Sequence, residues 1–459
     1  MPSHDPRQAV GLEEARRRIA TTAFRPDQRP RSPGLVGLEP EFLVLRTDAG
    51  GRPTARVGLE EPGGVLDGLT ELGRHEGRFR RAYGGPPPVF TLGDGGRITF
   101  EPGAQIEHST ATHASAALAM ADVERTAGAI AASFEARGVA LAACGIDLWH
   151  EVSGVPQQLH APRYHSMAAY FARRGPEGAV MMRHTASLQI NLDLGSEGEA
   201  GERWLVANLA SPIATASFAS SPRDGFASRR ALAWQRLDPT RTGFPAALVS
   251  GAERDPGRQY ADFALEADVL LFLNDELGAV PGRPGFSLRR WIEEGHGLHG
   301  RPTAADVDYH LTTLFPEVRL RGFLELRGVD ALPQAWRAAV VVFWTGLVYD
   351  GRARHAALAR LDGVRARLPE LWIAAARTGL RDGELGPLAQ EIWCEALAGA
   401  ARLPSGFHRS EDLDCARAFF ERYVVAGRSP SEELGELHAS DPRCSLEWSR
   451  ERAGSVRAR

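Results

Sequence analysis

Acidic side chains occupy alternate positions in a short apolar segment of this sequence. In "GLEPEFLVL", Glu39 and Glu41 are two residues apart, so a β-strand would direct both to one face, opposite Leu38, Phe42 and Val44. The apolar face predicts a strand packed on a core. The acidic face is compatible with a cation site, or with solvated charges on the open side of an antiparallel sheet.

Three further segments repeat this pattern of one apolar and one polar face. They are "RITFEPGAQIEHS", "ASLQINLDL" and "GFLELRGVD". The polar side chains on their predicted polar faces are Glu101, Glu107, Gln189, Asn191, Glu325 and Arg327. Pro40, between the first two acids, cannot donate to a strand ladder, so we expect an edge, a bulge or an end of pairing there.

Several carboxylates on one concave face would repel one another unless a cation held them. Hard divalent cations take oxygen ligands, and Mg²⁺ is typically held by carboxylates together with nucleotide phosphates. The sequence therefore predicts a metal site for Mg²⁺, or alternatively Mn²⁺. Its predicted ligands are Glu39, Glu41, Glu101, Glu107, Gln189 and Glu325, with Asn191 as a further neutral oxygen donor.

Arginines near these segments could bind an anionic partner. A guanidinium binds carboxylate or phosphate through two hydrogen bonds, although any single arginine could equally form a surface ion pair. The candidates are Arg183, Arg241, Arg319, Arg321 and Arg327. We interpret His184, His310 and Tyr164 as structural residues.

Composition excludes several classes of protein. The chain has 459 residues and a formal charge of −4, with no basic footprint for nucleic acid. It contains no Lys, which excludes a P-loop. We find no export signal and no apolar run long enough to span a membrane, so we expect a cytoplasmic protein. Four widely spaced cysteines predict thiols without disulfides.

The chain is predicted to be an α+β protein in three parts. Residues 1–33 form a short helix and an arm rich in Pro and Arg, and residues 34–351 form an antiparallel-sheet catalytic domain. Residues 352–459 have helical periodicity and no strand-like run, so we expect helices packed on the same domain. The polar, Arg-rich end at 446–459 is expected to fray.

The ordered set of motifs resembles the plant-type glutamate–cysteine ligases and their bacterial relatives, including enzymes of ergothioneine synthesis. The resemblance rests on "GLEPEF", "ITFEPGAQIEHS", "PRYHSM", "MMRHTASLQINLD", "LDPTRTG" and above all "HLTTLFPEVRLRGFLELRGVD". It covers roughly residues 34–350. Two departures from the family pattern flank Glu107: Ala104 replaces a common Gly, and His108 replaces an apolar or small residue.

The resemblance implies a glutamine-synthetase-like fold, in which a curved antiparallel sheet forms a funnel flanked by helices. It implies ATP-dependent ligation of L-glutamate to L-cysteine through γ-glutamyl phosphate, with Mg²⁺. Catalytic roles are expected for Glu325, Arg327 and Arg183. Nucleotide or substrate binding is expected for Arg241, Arg319, Arg321 and Asn191.

Three alternatives remain open from the sequence. The activated glutamate could be joined to another amine, the site could hydrolyse γ-glutamyl amides, or the chain could be a non-catalytic sensor of glutamate or nucleotide. The complete set of acidic positions argues against the sensor. The sequence also leaves open whether the protein is a monomer or a homodimer.

Overall fold

A computed structural model describes residues 8–82, 87–274, 276 and 278–452. Within these ranges, short antiparallel strands alternate with helices, and residues 334–452 contain helices and connecting turns. The predicted α+β class and the helical C-terminal region are confirmed. The exact domain boundaries stay a prediction.

The described strands form one large sheet and a separate hairpin, and all their named pairings are antiparallel. Their bounds are β1 Val36–Thr47, β2 Pro53–Arg56, β3 Phe79–Ala82, β4 Val89–Leu92, β5 Arg97–Phe100, β6 Ile106–Ser109, β7 Val139–Ala142, β8 Leu188–Leu192, β9 Leu271–Asn274, β10 Gly278–Pro281, β11 Val318–Leu320 and β12 Leu324–Leu326. The main path is β11-β12-β8-β1-β6-β5-β4-β3, with β2 and β7 also paired to β1. The β9–β10 hairpin lies apart.

Helices surround this sheet and continue to the end of the described chain. Their bounds are α1 Leu12–Ala23, α2 Val65–His75, α3 Ala116–Glu135, α4 Pro162–Ala172, α5 Glu177–His184, α6 Glu197–Ser217, α7 Arg229–Leu237, α8 Pro239–Thr242, α9 Ala246–Ser250, α10 Pro256–Glu266, α11 Leu288–Glu294, α12 Ala304–Leu311, α13 Gln334–Tyr349, α14 Gly351–Leu361, α15 Leu368–Arg377, α16 Leu385–Arg402, α17 Ser410–Phe419, α18 Pro430–Ser440 and α19 Pro442–Ser449. Among the described residues, no helix combines the length and apolarity needed to cross a membrane.

Strand β1 organises the sheet because four other strands pair along its length. Residues 36–40 pair with β8, residues 41–42 with β6, residues 43–46 with β7 and residues 45–47 with β2. β1 lies between β8 and β6, inside the sheet, and Pro40 is its last residue in register with β8. The proline therefore marks an end of pairing. Of the three outcomes predicted for Pro40, this is the one observed.

The apolar faces of the predicted strands are buried as expected. Leu38, Ile190 and Leu326 lie in one core cluster with α6 and α13, and Phe42 and Ile98 lie in a second cluster with α3. Because the side-chain period of a strand is two residues, burying these positions turns the intervening polar side chains toward the opposite face. That face carries the candidate site.

Buried contacts hold the end of the described chain. Glu451 is 2% exposed, and Arg337 on α13 donates a 2.6 Å hydrogen bond to its carboxylate. Arg450 bridges Ala142 of β7. The expectation that 446–459 frays is therefore wrong for residues 446–452, and residues 453–459 lie outside the described residues. An ion pair between residues 114 positions apart leaves no local signal in the sequence.

Candidate active site

Three of the predicted acids converge at the centre of the polar face. Glu41 on β1, Glu101 after β5 and Glu107 on β6 each offer a carboxylate oxygen, and these oxygens lie within 4.8 Å of one another. Glu41 and Glu107 are direct partners in the β1–β6 register. A tight turn after Phe100 brings Glu101 beside them, with the Ala104 amide donating to the Glu101 carbonyl at 2.9 Å.

Neighbouring side chains fix the orientation of these carboxylates. Glu41 accepts a 2.8 Å hydrogen bond from the Ser187 amide and a 2.7 Å bond from its hydroxyl. Thr99 donates to Glu107 at 2.6 Å, and Asn191 donates to Glu39 at 2.9 Å. Each bond leaves other carboxylate lone pairs available to a ligand.

This environment opposes ionisation of the three clustered acids and of Glu39. Burial raises the pKa of Glu41, Glu101 and Glu107, and for Glu101 and Glu107 the neighbouring Glu41 charge raises it further. Burial, followed by the charges of Glu107 and Glu325, raises the pKa of Glu39 to about 7. A divalent cation among these oxygens would remove the repulsion, so the chemistry of the donor set fits Mg²⁺ or Mn²⁺.

Glu325 lies in the same cavity but has different partners. Arg319 binds both of its oxygens, Arg321 donates to one of them at 3.1 Å, and the Arg327 guanidinium lies 3.5 Å away. Burial opposes ionisation here, but Arg319 and Arg327 outweigh it and hold the pKa of Glu325 at about 2. Glu325 is therefore an ion-pair partner of these arginines, and the geometry does not group it with the predicted metal ligands.

Gln189 connects the acidic side of the cavity with the basic side. Its amide nitrogen donates to Glu41 at 3.2 Å, and its oxygen accepts a 2.6 Å bond from Arg327. The oxygen predicted to bind metal is thus directed at a guanidinium. Gln189 is 5% exposed, so this bridge is part of the buried framework of the site.

These side chains enclose a cavity of about 230 Å³ that is lined by both charged and apolar residues. Its lining comprises Glu39, Glu41, Arg97, Glu101, Glu107, Met167, Met181, Thr185, Ser187, Gln189, Arg230, Trp234, Phe315, Arg319, Arg321, Glu325 and Arg327. A second cavity of about 260 Å³ shares Glu39 and Arg97 with it. The second cavity follows the same strands and includes Gly37, Asn191 and Phe323.

Two predicted arginines lie outside this cavity lining. Arg241 is fully buried, and its three guanidinium nitrogens donate to Asp238, Asp268 and Thr313. Arg183 donates to the Val155 carbonyl at 2.8 Å. The geometry does not support a nucleotide-binding role for Arg241 or direct catalysis by Arg183. It favours structural roles for both.

The structure adds residues that sequence reasoning missed. Arg97 lines both cavities, and within the described residues its guanidinium forms no ion pair or hydrogen bond. Strand alternation could have identified it, because Arg97, Thr99 and Glu101 share one face of the same segment. Arg230 and Trp234 are four residues apart on α7, a spacing that places them on one helical face.

The two departures from the family pattern have different surroundings. Ala104 adopts a left-handed backbone conformation with φ +64°, which glycine adopts with less strain. His108 points away from the acids and is fully buried, and neither of its ring nitrogens has a hydrogen-bond partner among the described residues. Burial lowers the pKa of His108 to about 3, so its ring is neutral at pH 7.

We expect His108→Leu to stabilise the protein, and to do so more strongly in acid. Leucine removes two buried polar atoms that lack partners, each costing about 1–3 kcal/mol. Because the folded-state pKa of His108 lies below its unfolded value, its contribution to stability falls as pH drops below about 6.5. At pH 5 this effect adds about 2 kcal/mol to the difference in free energy of unfolding between His108→Leu and the wild-type protein. Urea unfolding at pH 7 and pH 5 measures both, and an equal difference at the two pH values would contradict the linkage.

The sequence matches known proteins along nearly its whole length. Residues 35–457 match the family model described as glutamate–cysteine ligase family 2. The glutamate–cysteine ligase EgtA of Mycolicibacterium smegmatis is 34% identical over 395 residues, covering 84% of this chain and 87% of that protein. The chloroplastic glutamate–cysteine ligase of Arabidopsis thaliana is 30% identical over 356 residues, covering 74% and 66%.

A solved structure supports the fold. The glutamate–cysteine ligase of Francisella tularensis in complex with AMP aligns with a TM-score of 0.53 over 93% of this chain and 88% of that one, at 13% identity. This similarity concerns the fold, whereas the family model and the relatives concern the sequence itself. On the matched range and the coverage of the relatives, the chain belongs to glutamate–cysteine ligase family 2 and is an enzyme of that family.

Proposed function

We propose that this enzyme uses ATP to join the γ-carboxyl group of L-glutamate to the amine of L-cysteine, through γ-glutamyl phosphate. The observation that carries the proposal is the juxtaposition, in one cavity, of a carboxylate cluster with oxygens within 4.8 Å and a set of arginines around Glu325. Phosphoryl transfer requires metal and cationic groups to offset developing negative charge. Both requirements have candidate residues here.

Mg²⁺ would be held by Glu41, Glu101 and Glu107, with Glu39 at the boundary of the two cavities. When bound, it would coordinate phosphate oxygens and offset their charge. The protein supplies oriented carboxylates, since Ser187 and Thr99 already fix two of them. A bound cation would also relieve the mutual repulsion of these carboxylates.

The nucleotide would extend into the second cavity. The first cavity alone, about 230 Å³, is below the usual range of about 300–1,000 Å³ for ligand pockets, and the neighbouring 260 Å³ cavity extends it. Arg97 lies at the junction, where it can bind phosphate. Phe323 and Asn191 also line the second cavity, where they offer an aromatic ring and a side-chain amide.

Gly37→Val is expected to raise the KM for ATP by about tenfold or more, a magnitude typical of steric mismatch in a pocket. A Cβ at Gly37 would approach only Asn191, at 3.4 Å, so valine fits the strand but fills the second cavity. Steady-state ADP release at varied ATP measures the effect. Gly11→Ala, whose Cβ would meet no atom within 4 Å, is the matched control. An unchanged KM for ATP would contradict this nucleotide position.

The chemistry needs two successive displacements. A γ-carboxylate oxygen of glutamate attacks the γ-phosphorus of ATP, and ADP departs, leaving γ-glutamyl phosphate. The cysteine amine then attacks the acyl carbon, phosphate departs, and a cavity carboxylate accepts the amine proton. Arg319 and Arg327 lie where they can offset charge on the phosphoryl group or the substrate carboxylates.

The apolar residues of the cavity favour cysteine as the acceptor. Met167, Met181, Trp234 and Phe315 line the cavity, and all four belong to or pack against one hydrophobic cluster. Thioether and aromatic groups make favourable contacts with sulfur, whereas a charged or hydroxyl-bearing side chain would lose hydration there. This observation supports cysteine over a more polar amine, the alternative left open by the sequence.

The deciding experiment is ADP release by the purified protein with ATP, Mg²⁺ and L-glutamate, with each amino acid added in turn and products identified by mass spectrometry. We expect release that depends on cysteine and a product with the mass of γ-glutamylcysteine. Preference for another amine would overturn the acceptor assignment. Hydrolysis of γ-glutamyl amides without nucleotide would overturn ligation altogether.

A further inference from the structure

Glu101 differs from the other two clustered acids in how its carboxylate is oriented. The other two accept hydrogen bonds from the hydroxyl groups of Ser187 and Thr99. Among the described residues, no group donates a hydrogen bond to the Glu101 carboxylate. The position of this carboxylate therefore depends on the backbone turn that carries it, residues 101–105.

This turn packs directly against the end of α5. Residues 102–105 are buried. A Cβ at Gly103 would come within 2.2 Å of the Arg183 carbonyl oxygen, so a side chain there would force the two segments apart. The Gln105 side chain donates to the Thr185 carbonyl at 2.8 Å. The turn therefore cannot shift on this side without moving α5.

A buried ion pair holds the same turn from another element of the fold. Arg56, the last residue of β2, donates to the Gly103 carbonyl at 2.7 Å. A second guanidinium nitrogen of Arg56 donates to the Asp147 carboxylate at 3.2 Å. The Arg56 side chain is 6% exposed, and that of Asp147 is 0% exposed. The pair therefore lies in the protein interior, and neither residue lines the two cavities described above.

Asp147 is itself fixed by the residues that follow it. The amides of Trp149 and His150 donate to its carboxylate at 2.9 Å and 3.1 Å. The ring Nδ1 of His150 lies 3.1 Å from each carboxylate oxygen. Because these groups hold Asp147 in place, the carboxylate directs the Arg56 guanidinium toward Gly103. Three segments far apart in the sequence meet here, so no local motif predicts the pair.

We propose that Arg56 and Asp147 are positioning residues that place the Glu101 carboxylate for a divalent cation. The proposal rests on the proposed function and deepens it, because it names residues outside the cavity that control metal affinity. Without Arg56, the buried Gly103 carbonyl would lose a charged donor, and the turn would shift to recover a hydrogen bond. Metal–ligand distances tolerate changes of only about 0.2 Å, so a small displacement of the turn weakens coordination.

The test compares two arginines that have similar partners in different places. Arg56→Met removes both hydrogen bonds and keeps an unbranched side chain in the space. Arg354→Met is the matched control, because Arg354 is 3% exposed and lines neither cavity. Like Arg56, it binds one carboxylate and one backbone carbonyl, those of Glu202 at 3.0 Å and Val348 at 2.8 Å. Both variants should therefore lower the unfolding temperature.

Electron paramagnetic resonance of free Mn²⁺ measures metal binding by the nucleotide-free protein at pH 8. We expect the Kd for Mn²⁺ to rise about tenfold to 100-fold in Arg56→Met, the range typical of lost outer partners of a metal ligand. In Arg354→Met it should change by about twofold at most. An unchanged Kd in Arg56→Met, or an equal increase in both variants, would overturn the proposal.

Turnover provides a second readout that separates positioning from coordination. Since Arg56→Met keeps the Glu101 carboxylate, its kcat at saturating Mg²⁺ should return to within about threefold of the wild-type value, with the loss confined to the KM for Mg²⁺. A kcat that stays as low as that of Glu101→Gln would contradict a positioning role.

Asp147→Asn keeps the test decisive if Arg56→Met does not fold. Asparagine has the same size and still accepts a hydrogen bond, but it removes the charge that directs Arg56, so we expect the Kd for Mn²⁺ to rise about threefold to tenfold. An unchanged Kd in the folded variant would refute the proposal. A wild-type protein that binds Mn²⁺ and releases no ADP with any amino acid would overturn the proposed function alone, whereas one that binds no Mn²⁺ would overturn the positioning role as well.

Discussion

Glu101→Gln is expected to reduce ligation by about a thousandfold or more and, at the same time, to stabilise the metal-free protein. The first effect follows from losing one of three charged oxygens that are proposed to hold Mg²⁺. The second follows because burial and the charges of Glu41 and Glu107 raise the pKa of Glu101. An amide occupies the same volume without adding charge to the cluster.

The pH dependence of this stabilisation has a definite sign. A carboxylate whose folded-state pKa is raised binds its proton more tightly in the folded state, so its favourable contribution is lost as pH rises through that pKa. Glu39, with a pKa of about 7, and the three clustered acids all act in this direction. Without metal, the wild-type protein should therefore lose stability between about pH 5 and pH 8, and Glu101→Gln should lose less.

Thermal unfolding with and without Mg²⁺ checks both halves of the prediction. We expect Mg²⁺ to raise the unfolding temperature of the wild-type protein at pH 8 and to have little effect on Glu101→Gln. Glu317→Gln is the matched control, because burial also raises the pKa of Glu317 but this residue does not line the cavity. It should keep the response to Mg²⁺. Full activity in Glu101→Gln would remove the carboxylate cluster from the mechanism.

The positions of the glutamates in the site could be predicted because side chains alternate regularly along a strand. Side chains alternate with a period of two, so an apolar set such as Leu38 and Phe42 determines which face Glu39 and Glu41 occupy. No knowledge of the neighbouring strands is required for that step. The β1–β6 register then brings Glu41 opposite Glu107, as expected for acids sharing one face.

The arginines of the site were predicted less completely because their positions depend on tertiary packing. Arg241 lies in a motif that resembles the family. Its side chain is nevertheless 0% exposed, and its guanidinium donates hydrogen bonds to buried acceptors. Arg230 was not predicted as a site residue. The direction of an arginine side chain on a helix depends on how that helix packs against the rest of the fold. Glu325 was assigned to metal because its strand places it on the acidic face, but three arginines bind it. Long side chains can reach different partners from one backbone position.

Arg327→Lys is expected to lower kcat/KM for glutamate by about 100-fold to 1,000-fold, the range seen when one oriented donor is lost from an active site. Arg327 bonds Gln189 at 2.6 Å, lies 3.5 Å from Glu325 and contacts the faces of two aromatic rings. A lysine ammonium is a strongly hydrated point charge, so it cannot reproduce the planar contacts. Charge alone would not preserve the site.

The pH profile of Arg327→Lys separates geometry from charge. Burial, followed by Arg319, lowers the pKa even of the arginine at this position, and a lysine there, with its lower starting pKa of about 10.4, would lose its proton at a lower pH than usual. The variant's remaining activity should fall between about pH 7 and pH 9, relative to the wild-type protein.

The matched control is Arg321→Lys, because the Arg321 side chain is 48% exposed and makes a single bond to Glu325. We expect it to lose only a few-fold in kcat/KM, since water can solvate the replacement ammonium. Equal losses in the two variants would mean that the total positive charge near Glu325 matters and the geometry of Arg327 does not. A much larger loss in Arg327→Lys, with an unchanged unfolding temperature, would instead require a guanidinium held against the rings.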